Sequence, residues 1–157
     1  MPTRALRQSL LALTLLMSGG QVQALTCSAS VPTLAFGSYS GTLGLATDSQ
    51  TTLTVTCSSL VSILVSYTIS LSSGNSGNAS ARELRQSGHA LQYNLYSDAL
   101  RTVVWGSGAS AVSDSFLLSI LGIGVDRLYP IYGRIPGGQT NVSAGSYSDN
   151  ITVTVAY

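Results

Sequence analysis

The chain of 157 residues has no lysine, one histidine, one glutamate, one tryptophan and two cysteines, and only 8% of its residues are charged. Each scarcity removes a class of function. Without lysine, and without a run of arginines, there is no basic face to track a phosphate backbone, so no nucleic acid is expected as a partner. Cys27 and Cys57 lie too far apart for a C-x-x-C redox pair, and with His89 they fall short of a four-ligand zinc site. His89 is also the sole candidate base for a Ser-His-acid triad, and no G-x-S-x-G elbow accompanies it.

The remaining chemistry is equally sparse. The acids are scattered singly, so no spacing argues for a paired-carboxylate site. "DSFLLS" and "YSDNI" lack the acidic density of a calcium loop. "WGSGASA" has the form G-x-G-x-x-A but no helix to follow it. An enzyme is not expected, nor a metal or cofactor. Beyond the first two dozen residues no segment keeps a helical period over ten or more residues, which argues against an α-rich fold.

The N-terminus has the three parts of an export signal. Arg4 and Arg7 supply the positive end, "LLALTLLM" (residues 10–17) the apolar stretch, and Val22-Gln23-Ala24 the small-x-small cleavage site. The apolar stretch is shorter than the ~20 residues that span a bilayer. Residues 1–24 are therefore expected to leave, with residues 25–157 as one domain. That domain carries five arginines against six acids, a net charge of −1. So few charges imply a surface of Ser, Thr, Asn and Gly, or one partly covered by another chain. In an oxidising compartment an even cysteine count reads as one disulfide, Cys27 to Cys57.

Short alternating runs fill the rest. "TTLTVTC" (51–57) sets Leu53 and Val55 against three threonines. "ILVSYTISLS" (63–72) alternates less strictly, and "SSGNSGNAS" (72–80) reads as a flexible loop. "ALQYNLYSD" (90–98) puts Leu91, Tyr93 and Leu95 on one face. "RTVVWG" (101–106) and "YPIYGRI" (129–135) read as further strands, Pro130 pointing to an edge or a strand start. "YSDNITVTVAY" (147–157) places Tyr147, Ile151, Val153, Val155 and Tyr157 together. About seven such strands predict an antiparallel β-sandwich of Ig-like size.

"FGSY" (36–39), "LTVTC" (53–57), "LQYNLYSDALRTVVWG" (91–106), "YGRIPGGQ" (132–139) and "GSYSDNITVTVAY" (145–157) occur in that order. Together they resemble the spore coat protein U domain family, which includes subunits of archaic, Csu-type chaperone–usher pili. The resemblance covers residues 25–157. It departs from the usual pattern at "FLLSILGIGV" (116–125), where the family more often has small polar residues.

The resemblance implies an Ig-like sandwich lacking its last strand, completed by a strand from another chain. The implied partners are a periplasmic pilus chaperone, an outer-membrane usher and other pilus subunits. The implied route runs through the inner membrane and periplasm to the cell surface. The missing strand would leave a groove, for which the candidates are Ile151, Val153, Val155 and Tyr157 on one side and Val31, Leu34 and Phe36 on the other. The same residues also read as ordinary sandwich core, and the two readings are compatible because such a groove is an unfinished core.

A donor strand needs about ten alternating residues at ~3.3 Å each, and cleavage after Ala24 leaves two residues before Cys27. The expectation is a subunit that accepts a strand without giving one, at the tip of a fibre. Tip subunits often attach to an abiotic or host surface. Phe116, Leu117, Leu118, Ile120 and Leu121 are then candidates for an exposed adhesive segment, against a buried strand pair around Gly122 and Gly124. The alternatives are a spore or cell-surface coat protein exported by the same route, and a self-complete soluble β-sandwich that binds a small ligand.

Overall fold

The structure, a computed structural model, describes residues 25–118 and 123–157. The expected signal segment, Ile120 and Leu121 lie outside the described residues. Eight strands follow in order: β1 Thr26–Ser30, β2 Thr47–Ser58, β3 Ile63–Leu71, β4 Arg82–Gln86, β5 His89–Tyr96, β6 Val112–Leu118, β7 Val125–Ile135 and β8 Val153–Ala156. They form two antiparallel sheets, one ordered β1-β2-β7-β5-β4 and the other β6-β3-β8. There is no α-helix among the described residues.

The period-2 pattern selects the core, since successive side chains of a strand face opposite ways. Leu53, Val55 and Cys57 of β2 are fully buried between the sheets. Val65, Tyr67, Ile69 and Leu71 of β3 face them, each no more than 3% exposed. Leu91, Tyr93 and Leu95 of β5 and Ile131 and Ile135 of β7 complete the layer. The expected disulfide is present, and Cys27 and Cys57 are directly opposed across β1 and β2. It closes a 30-residue separation, worth on the order of 3–4 kcal/mol in the chain-entropy account.

Several elements differ from the sequence reading. "RTVVWG" is not a strand: only Val104 bridges, to Tyr96. Asp98 instead holds this loop, accepting from the Thr102 and Val103 amides at 2.9 and 2.7 Å. The run is apolar because Trp105 plugs the core at 1% exposure, its Nε1 donating to the Ile69 carbonyl at 3.0 Å. Residues 72–80 are ordered by a 3₁₀ turn at Gly74–Ser76 and by Ser76 Oγ, which donates to the Ser73 carbonyl. Pro130 lies inside the longer β7, opposite Thr52. β5 reaches only as far as Tyr132, so β7 has β2 as its single neighbour beside the proline.

The β6–β7 side of the sandwich is closed by polar groups. Arg127 and Tyr129 of β7 both donate to Asp114 of β6, and Tyr67 and Tyr129 share a hydrogen bond. Tyr129 first, then Arg127, holds the Asp114 carboxyl below the ordinary carboxylate range. On the outer face of the larger sheet a two-pronged hydrogen bond from Arg134 does the same for Asp48. A depressed folded pKa contributes stability above about pH 4, which is lost as pH falls through the folded value. The urea midpoint is therefore predicted to be flat from neutrality to about pH 5 and to drop below about pH 4. Asp114→Asn should shrink that drop; an unchanged acid limb in this variant would rule the latch out as its source.

Candidate functional site

The opposite side of the sandwich is open. β1 and β8 are each paired on one side only, with β2 and β3 respectively. They come within 8 Å of one another without pairing. Unpaired strand edges are templates for another chain.

Two irregular segments wall this seam. Residues 31–39 run alongside β2, whose Ser49 and Thr51 hydroxyls donate to the carbonyls of Ala35 and Pro32 at 2.6 and 3.2 Å. Residues 142–152 form the other wall. That segment joins the sheets: Ser148 exchanges both backbone hydrogen bonds with Arg85 of β4, while Thr152 accepts from the Ser72 amide just past β3. The alternation read through residues 147–157 is therefore split. Ser148 belongs with one sheet, and Val153–Ala156 adds to the other.

Five of the seven proposed groove residues converge. Val31, Leu34, Phe36, Ile151 and Val153 line one cavity of about 330 Å³, with Leu71, Leu95 and Ile131 from the strands beneath. Val155 points inward from β8, half-buried against the core. Tyr157 does not join them. The strand ends at Ala156, and Tyr157 is 59% exposed beside Ser66 and Thr68 on the outer face. A second cavity of about 650 Å³ continues the first toward Tyr39 and Val142, with Leu84, Leu91 and Ile135 among its lining. The sequence reading missed this half because its floor comes from β4, β5 and β7.

The quoted motifs have physical reasons here. Phe36 stacks edge-on against Tyr93 at 5.7 Å and lies over Gly133, where a Cβ would meet its ring at 2.7 Å. Glycine at 133 thus lets the groove wall sit on β7. The Tyr39 hydroxyl donates to the Pro136 carbonyl and accepts from the Gln139 amide. The Gln139 side chain then bonds both backbone groups of Gln92, as a neighbouring strand would.

Beneath the seam lies Arg82, fully buried, a residue the sequence reading did not single out. Its guanidinium donates to the carbonyls of Ser72, Ala79 and Trp105 at 2.7, 3.1 and 2.8 Å, and to Asn94 Oδ1 at 2.8 Å. Burial pushes its pKa down, against the opposing pull of Tyr93 and Asp149. Asp149 accepts from the buried Tyr93 hydroxyl at 2.7 Å and from the Asn75 and Asn150 amides.

The candidate adhesive segment divides. Leu118 is core at 1% exposure, whereas Leu117 is 66% exposed and pairs across the outer face with Leu64. Phe116 is half-buried, in edge contact with Tyr67 and under the Arg127 guanidinium. Among the described residues β6 pairs with β3 and β7 belongs to the other sheet, while Gly122, where the alternative strand pair was expected, lies outside the described residues. No group of three His, Cys, Asp or Glu side chains able to hold a metal occurs among the described residues. His89 is exposed, its Nε2 3.0 Å from Ser143 Oγ.

The arrangement defines a disulfide-pinned Ig-like β-sandwich with one seam left open. The chain belongs to the Spore Coat Protein U domain family, whose model matches residues 12–154. It is 28% identical to Protein U of Myxococcus xanthus, over 80% of this chain and 72% of that protein. Its fold is similar to a solved chain of the CsuC–CsuE chaperone–tip adhesion subunit pre-assembly complex from archaic chaperone–usher Csu pili of Acinetobacter baumannii. The TM-score is 0.57 at 20% identity, over 85% of this chain and 40% of the other.

Proposed function

We propose that the chain is an exported structural subunit of a chaperone–usher surface fibre, and that the open seam receives a strand from a periplasmic chaperone and then from another subunit. The single observation that carries this reading is the contrast between β3 and β8. Val65, Tyr67, Ile69 and Leu71, four of the five inward side chains of β3, are sealed, whereas Val153 and Val155, which pair beside Leu71 and Ile69 on its neighbour, remain half-buried at an unpaired edge. A strand laid there satisfies the edge amides and carbonyls and sends alternate side chains into the cavity. Family membership and the pre-assembly complex of the structural neighbour support the same reading.

Hydrogen exchange tests it. The Val153–Ala156 amides should exchange at least tenfold more slowly with a chaperone bound than without, while β3 stays protected in both states. A purified chain that is monomeric, stable and already protected at β8 would falsify the reading.

The finer reading is a terminal, adhesive subunit. It rests on the short lead expected between Ala24 and Cys27, and on exposed apolar residues at one end of the sandwich. Leu60 and Val61 follow β2, Leu64 opens β3, Leu117 closes β6 and Ile123 precedes β7; all five are more than half exposed. Leu117→Asp combined with Ile123→Asp should leave fibres intact, with this chain labelled at their ends, and lower surface attachment about tenfold. Labelling along the whole shaft, or attachment unchanged by the double variant, removes the finer reading.

A further inference from the structure

The two cavities of the seam share a boundary. Leu34 and Phe36 stand on one wall there, and Asp149 stands opposite on the other. Much of the lining is apolar: Val31, Leu71, Ile131 and Val153 in the first cavity, Leu91 and Ile135 in the second. A half-buried carboxylate midway along such a trough is an unusual wall element, since a partly desolvated acid is kept where it is hydrogen-bonded.

Asp149 is held in place by Tyr93, Asn75 and Asn150, all of which donate to it. Oδ1 takes the two amides and Oδ2 takes the tyrosine hydroxyl. A carboxylate has about four acceptor positions, so Oδ2, against which Gly74 packs on one side, has accepted one donor and has capacity for one more. The buried Arg82 lies behind Tyr93 and is spent on carbonyls and Asn94. It balances the local charge without occupying the remaining position on Oδ2.

We infer that Asp149 sets the chemistry and register of the incoming strand. Where that strand passes the junction of the two cavities it carries a hydrogen-bond-donating, non-acidic side chain, flanked on each side by apolar anchors. This inference rests on the strand-acceptor reading above. A donating side chain takes up the remaining acceptor position of Oδ2. A carboxylate in the same place would face a like charge in a partly desolvated groove and lose its own hydration. The apolar anchors exclude a slip of one residue, which would turn them outward, and the polar contact excludes a slip of two, which would set an apolar anchor against Asp149.

Peptides provide the test. Ten-residue alternating apolar peptides are prepared in pairs that differ only by Gln against Glu, the pair being moved along the peptide one position at a time. The full chain is refolded with equimolar pairs, and the bound ratio is read by mass spectrometry. Gln should exceed Glu about tenfold at one inward position, with ratios near one at positions facing solvent. Asp149→Asn should abolish that preference. If the variant fails to fold, a Gln preference at one inward position well above that at the other inward positions supports the role of Asp149, and equal preferences at all inward positions overturn it. A flat ratio at every position, with peptides bound, overturns the role of Asp149 and leaves the groove reading intact. Failure of every peptide to bind overturns both.

Discussion

Arg82→Ala should cost about 4 kcal/mol of stability, because it leaves several buried acceptors without a donor. The carbonyls of Ser72, Ala79 and Trp105 and the amide oxygen of Asn94 all converge on this one guanidinium. They come from the β3–β4 connection, from β5 and from the loop that carries Trp105. One planar fork therefore ties together three parts of the chain, adding side-chain bonds to the single backbone hydrogen bonds that join the Trp105 loop to Leu71 and Leu95. Arg82→Lys should recover only a minor part of the loss, since an ammonium cannot present donors in so many fixed directions. Arg85→Ala, three residues on and exposed, removes only an ion pair to Glu83 and should stay within about 0.5 kcal/mol. Equilibrium urea unfolding reads all three. A loss below about 1 kcal/mol for Arg82→Ala would show that water replaces the guanidinium, and the pin would not exist.

Val153→Asp should abolish strand acceptance, with at least a hundredfold loss of chaperone-bound complex. Val153 points into the cavity from β8, opposite Leu71 of β3. Before a strand arrives it is half-buried, so a carboxylate there still reaches water and the unpartnered chain loses little. Once the groove is filled, the same carboxylate is buried with no cation to pair it, which costs several kcal/mol. The neighbouring Thr154 faces outward, so Thr154→Asp is the control and should bind as the wild type does. The measurement is the amount of complex recovered with the chaperone. Equal recovery of the two variants would mean that the inward face of β8 is not where the partner lies.

What the sequence disclosed, and what it hid, follows from where the determinants reside. β2, β3 and β5 were legible because each has one face on the core, and a half-buried strand writes that face as alternation. β4 was not. "RELRQ" is charged on both faces, and its inward Arg82 looks no different in sequence from Arg85. Only the convergence of distant carbonyls makes it core. β6 hid for a similar reason, its inward Asp114 being part of the latch with Arg127 and Tyr129. The cavity takes its walls from runs that are local in sequence, residues 31–36 and 151–153, which their apolar spacing picks out. It was missed where the floor is assembled from β4, β5 and β7. Tyr157 fits the alternation of its segment, but it lies one residue past the last paired position, Ala156, and is exposed.

The pairing of β2 with β7 has a kinetic consequence. Thr47 is opposed to Ile135, 135 − 47 = 88 residues away, and the register continues to Cys57 opposite Val125. Even at its inner end, Cys57 opposite Val125, the longest ladder among the described strands closes a loop of 125 − 57 = 68 residues, and that closure comes before its first hydrogen bond. Proteins built on such distant pairings fold at the slow end of the range, on the order of milliseconds to seconds. During that interval β1 and β2, already linked by Cys27–Cys57, would present a nearly complete hairpin with an empty flank. This topology leaves the unfinished chain waiting, and a partner able to supply a strand would have that interval in which to act as a template.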